Sequence, residues 1–75
     1  MCPPGFTEYE GDVPGGGLTG GYAANSDKCA DDCMLRDDCN SFAHSVIKKT
    51  CKLLAEKTPS TAKYQDARFC RKDGK

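Results

Sequence analysis

The spacing of apolar positions changes period once, inside the stretch Cys29 to Cys51, CADDCMLRDDCNSFAHSVIKKTC. As far as Arg36 the pattern is helical. Cys29 and Cys33 stand four apart and share a face with Ala30 and Met34, while Asp31, Asp32 and Arg36 fall on the wet side. Ser26 is the expected N-cap, its hydroxyl accepting from a free first-turn N–H. Asp27, Asp31 and Asp32 add negative charge near the end where the helix dipole favours it. Asp37, Asp38 and Asn40 favour turns and should stop the helix near Arg36. Beyond Cys39 the pattern alternates, with Phe42 and His44 facing one way and Ser41 and Ala43 the other, as in a half-buried strand. Lys48 and Lys49 mark a turn lacking the Gly or Asn of a two-residue hairpin. Thr50 to Leu54 is the return strand, with Cys51 and Leu53 inside. The stretch thus reads as a helix stapled onto a hairpin.

The flanks carry weaker signals. Phe6, Glu8 and Tyr9 point to a first strand, although strict alternation would set Phe6 and Glu8 on the same face. Gly11 to Gly21, GDVPGGGLTGG, holds six glycines in eleven residues and cannot be the interior of a regular element. It is expected to be a mobile loop pinned by Val13 or Leu18, and it matches neither a P-loop nor a dinucleotide fingerprint. Tyr22 to Ala24 is extended. Ala55 to Ala62 is loop, because Pro59 cannot donate to a ladder and Ser60 and Thr61 favour turns. Tyr64 to Cys70 forms the last strand, and Arg71 to Lys75 a charged, frayed tail.

Seventy-five residues make one domain (1–75) whose scattered large apolar side chains fill only a small core. Six cysteines answer that shortage and indicate an oxidising compartment. Zinc fits poorly, since the spacings match no common finger and His44 is the sole histidine. Cys29 and Cys33 project in parallel from one helix, so each is better placed to reach Cys39 or Cys51 than the other. Sequence alone leaves fifteen connectivities open.

The C-x3-C helix, the third Cys soon after, the aromatic strand Asn40-Ser41-Phe42 and the Cys51-Lys52-Leu53 return strand together resemble the PAN/apple domain. Gly11-Asp12-Val13 resembles that family's early Gly-Asp turn, and Phe69-Cys70 its closing strand, so the resemblance covers nearly the whole chain. It implies a small α+β fold, an antiparallel sheet cradling one helix. It implies the bridges Cys2–Cys70, Cys29–Cys51 and Cys33–Cys39, the first joining the termini as in the apple variant. It also implies a non-catalytic module that binds a protein or carbohydrate partner on a cell surface or in a secreted complex. Such modules occur in tandem in coagulation zymogens and apicomplexan microneme adhesins.

The net charge of zero hides a division: residues 1–46 carry −6 and residues 47–75 carry +6. Lys48, Lys49 and Lys52 on the hairpin, joined by Lys63, Tyr64 and Arg68, form the candidate ligand-binding set, a basic patch with an aromatic for an acidic glycan or protein. Catalysis finds no support. His44 is expected to be a structural histidine on the Phe42 face, the cysteines are oxidised, and the Asp31/Asp32 and Asp37/Asp38 pairs look like solvated charge. No cofactor, metal, nucleic-acid partner or membrane insertion is expected; the longest apolar runs fall far short of a span. Met1-Cys2-Pro3-Pro4 offers no apolar leader, so the chain is expected to be a mature or excised piece of a secreted protein. A secreted toxin or protease inhibitor, with Lys57 in an exposed loop, is the alternative reading, and an oligomerisation unit a third.

Overall fold

The computed structural model describes residues 2–62 and 67–73. The elements are β1 (Phe6–Tyr9), β2 (Tyr22–Ala23), α1 (Ser26–Met34), β3 (Ser41–Ser45), β4 (Thr50–Leu54) and β5 (Ala67–Lys72). The strands form one five-stranded sheet in the order β1-β5-β3-β4-β2, antiparallel throughout. The helix lies across one face, giving the expected α+β architecture. Three bridges tie it together: Cys2–Cys70, Cys29–Cys51 and Cys33–Cys39.

The helix begins one residue earlier than the sequence suggests. Asn25, not Ser26, is the N-cap: its backbone is extended and its Oδ1 accepts from the Lys28 N–H at 2.8 Å. Both residues cap well, but only Asn25 lies three positions before an N–H still lacking a helical partner. Cys29, Ala30 and Cys33 form the buried face. Met34 does not join them and stays 50% exposed. It is the last helical residue, and its Cε rests over Gly5, where a Cβ would come within 2.9 Å. Phe6 packs beside Phe42, the two rings meeting edge to face at 5.0 Å.

The hairpin of β3 and β4 is joined by residues 46–49, and Lys49 takes the left-handed conformation (φ 57°) that a Gly or Asn would adopt more readily. β3 is not half-buried but covered on both faces, with Ser41, Phe42, Ala43 and His44 all buried. Phe42, Leu53 and Cys51 share the helix-side core with Phe6 and the two α1 cysteines, Cys29 and Cys33. Ala43, Leu54 and Phe69 make a second core on the outer face, closed by Val13.

That second core exists because the glycine-rich segment is strapped against the sheet. Of the two expected pins, Val13 closes this core and Leu18 packs against the helix-side one. The segment between them is held in place where the sequence suggests mobility. The Leu18 N–H donates to Leu53 O at 2.7 Å, and the Lys52 ammonium donates to Val13 O and Gly15 O. Gly17 (φ +64°) passes so close that a Cβ would sit 2.4 Å from Leu53 O. At the strap's start, Asp12 pairs with Thr61 across an isolated bridge.

β5 also departs from expectation. It runs on to Lys72, with Arg71 opposite Thr7 and Lys72 opposite Phe6, so the frayed tail does not begin at Arg71. The portion of the expected strand from Tyr64 to Asp66 lies outside the described residues.

Candidate functional site

The outer face carries a cleft of about 180 Å³ at its hairpin end. Its floor is a product of strand register. Ala43 lies opposite Lys52, and Ser45 lies opposite both Thr50 on β4 and Ala67 on β5. Alternate residues of a strand share a face, so these small side chains from three adjacent strands leave a depression among larger neighbours. Asp12, Lys48 and Lys52 add charged groups to its lining. Ser45 Oγ accepts from the Lys48 N–H at 3.1 Å, fixing the turn against the floor.

The charges differ in freedom. Lys52 is only 19% exposed, with Asp12 Oδ1 3.9 Å from its Nζ and two strap carbonyls as acceptors. It holds the wall in place and keeps little capacity for a ligand. Lys48 is exposed at the rim. With the Ser45 and Thr50 hydroxyls and the Asp12 carboxylate, the cleft offers donors and acceptors over a small apolar base. That chemistry suits hydroxyl-rich or acidic ligands. The cysteines are all bonded, which removes thiolate nucleophiles, and His44 is buried in the sheet.

Of the six residues that the sequence singles out, the cleft brings together Lys48 and Lys52. Lys49 is exposed on the same turn. Arg68 lies opposite His44, hence on the helix side of the sheet, with its Nε 3.6 Å from Glu8 Oε2. Lys63 and Tyr64 lie outside the described residues. An aromatic–cation pair does occur on the outer face, formed by Tyr9 and Arg71 instead. The Arg71 guanidinium stands 5.8 Å from the ring centroid and donates to Tyr9 Oη at 3.2 Å. Sequence reasoning missed Asp12, Ser45, Thr50 and Ala67. The stripe Ser41, Ala43, Ser45 was the one local sign of a shallow outer face.

A family model for the PAN domain matches residues 6–73. The chain belongs to the PAN domain family. Its terminal bridge reaches back to Cys2, outside the matched segment, and is the apple-type addition to the two bridges around the helix. No curated protein and no solved structure matches the chain. PAN domains in general are non-catalytic modules that bind proteins or carbohydrates, and their disulfides are typical of extracellular proteins. Among the described residues no helix is long and apolar enough to cross a membrane.

Proposed function

We propose that this PAN domain is a secreted recognition module, one unit of a larger adhesive protein, and that its partner is an acidic glycan or an acidic protein segment seated in the outer-face cleft. The observation that supports this reading most directly is the cleft itself: a floor of Ala43, Ser45, Thr50 and Ala67 with the exposed Lys48 at its rim. Lys49 extends the positive charge along the turn. The remaining sequence candidates, Lys63 and Tyr64, belong to the proposal only through their nearness in sequence to Ala67.

The test uses the oxidised full chain on a heparin column beside an array of acidic and neutral glycans. Binding between exposed charges weakens with salt, as the screening length falls from about 10 Å at 0.1 M to about 3 Å at 1 M. Lys48→Glu should lower elution salt on heparin. Ser45→Leu, which fills the floor, should remove binding to acidic glycans altogether. Wild-type elution at low salt, unchanged in both variants, would leave a neutral sugar or a protein as the partner at some other face.

A further inference from the structure

The three bridges differ in how a reagent in solution can reach them. Cys29, Cys33 and Cys39 are 0% exposed, Cys70 is 1% and Cys51 2%. Cys2 is the exception. It is partly exposed, stands outside every helix and strand, and packs against the helix-side core without being enclosed in it. Cys2–Cys70 is therefore the one bridge with a partner open to solvent.

The other two bridges are closed off by the fold. Cys29–Cys51 joins α1 to β4 within the core, and the helix above it is capped by Asn25. Cys33 and Cys39 stand six residues apart, and hydrogen bonds lace the connector between them. The Arg36 N–H donates to Cys33 O at 3.2 Å, and the Cys39 N–H to Arg36 O at 3.3 Å. The Lys72 ammonium donates to the same Arg36 O at 3.2 Å. A reagent meets these four sulfurs only once α1 lifts from the sheet, an opening that costs free energy. The terminal bridge is also asymmetric. Cys70 lies on β5, flanked by β1 and β3, with Glu8 and Phe42 as its register partners. Displacement at a disulfide runs in line, the entering thiolate approaching from the side away from the leaving sulfur. Attack on Cys70 Sγ would have to come from within the sheet, whereas Cys2 Sγ is approached from solvent.

We propose that Cys2 is a thiol–disulfide exchange site, through which a small thiol opens the Cys2–Cys70 bridge while the domain stays folded. The entering thiolate bonds to Cys2 Sγ as the bond between the two Sγ atoms breaks, and Cys70 leaves as a thiolate and takes up a proton. A second thiolate then displaces Cys2, so that two thiols become one disulfide and the bridge gains two electrons and two protons. The modification is reversible. β5 keeps its ladders to β1 and β3 when the bridge opens, so the Cys70 thiol stays beside Cys2, their Cα atoms 5.8 Å apart in the closed form. From there it can displace the small thiol from Cys2 and close the bridge again.

The test incubates the oxidised full chain with reduced glutathione under native conditions. Timed samples are quenched in acidic denaturant, alkylated and digested without further reduction, and each cysteine is assigned by mass spectrometry. At early times Cys2 should carry glutathione and Cys70 the alkyl group. This bridge should open at least about tenfold faster than the other two, a ratio that needs only about 1.4 kcal/mol of extra opening at the buried sulfurs. In concentrated guanidinium chloride, where burial is gone, the advantage should disappear. Four outcomes would overturn the proposal: glutathione found first on Cys70, a folded chain that stays unlabelled, early or simultaneous opening of the helix bridges, or an advantage that persists unchanged in denaturant. No glycan enters the assay, so this result and the cleft result stand apart.

Discussion

Phe42 is the residue on which the helix-side core converges. It is fully buried, meets Phe6 edge to face, and lies in register with Leu53 on β4 and Cys70 on β5. Truncating a buried Phe to Ala removes about 3–5 kcal/mol, a large share of what so small a domain holds. Phe42→Ala should therefore lose cooperative denaturant unfolding even with all bridges formed, which a fluorescence or circular-dichroism titration would show. Tyr22 makes a different kind of prediction. Burial, helped by the hydrogen bond to the Asp32 carboxylate, pushes its phenol up to about 12 from 10.0. A raised folded-state pKa gives stability that is complete below the unfolded value and is lost as pH rises through the folded one. The domain should thus lose stability between about pH 10 and pH 12. Tyr22→Phe should flatten that part of the stability–pH curve, measured by denaturant midpoints at each pH.

Among the elements, α1 depends most on its staples. Cys29 and Cys33 are each completely buried, and Cys29–Cys51 ties the helix to β4 in the middle of the core. Chain entropy favours the longer Cys2–Cys70 loop, with both bridges worth on the order of 3–4 kcal/mol. Replacing Cys29 and Cys51 by Ala, however, also leaves a cavity under the helix, whereas Cys2 is only half-buried. The Cys29/Cys51 double variant should denature at a lower midpoint than the Cys2/Cys70 one, and equal midpoints would contradict this. The strap offers a sharper test: Gly17→Ala places a Cβ against Leu53 O and should cost more than the ~1 kcal/mol ordinarily at stake between Gly and Ala, read from its thermal midpoint. Much of this element level was legible in the chain. The C-x3-C helix and the alternation of residues 41–54 gave α1, β3 and β4 closely, because their periods are local properties. The strap was legible only in its pins, Val13 buried in the outer-face core and Leu18 packed against the helix-side one; the rest of its hold comes from Lys52 and Leu53, some 35 residues away and without any local pattern. The cleft was half legible for the same reason. Lys48 follows from the turn, but a floor shared by Ser45, Thr50 and Ala67 exists only once β5 is known to lie beside β3.

For the molecule as a whole, the order β1-β5-β3-β4-β2 places the first and last strands side by side, and the Cys2 and Cys70 Cα atoms are 5.8 Å apart. That closeness has a mechanical meaning. Tension applied through the two ends enters at residue 2 and leaves past residue 70, so it passes along a single covalent link and bypasses the sheet. Under load the oxidised domain is a stiff bead, adding almost no length to a tether while its cleft keeps its shape. Reduction turns the same bead into a spring that can be spent: the 68-residue separation stretches to about 230 Å at the ~3.4 Å per residue of an extended chain. Force spectroscopy should record no unfolding step for the oxidised chain, and in reductant a release of about that contour length. A step of that size under oxidising conditions would show that the load reaches the sheet after all. An adhesive string built from such beads would resist shear without yielding, and would lengthen only where its terminal bridges are opened.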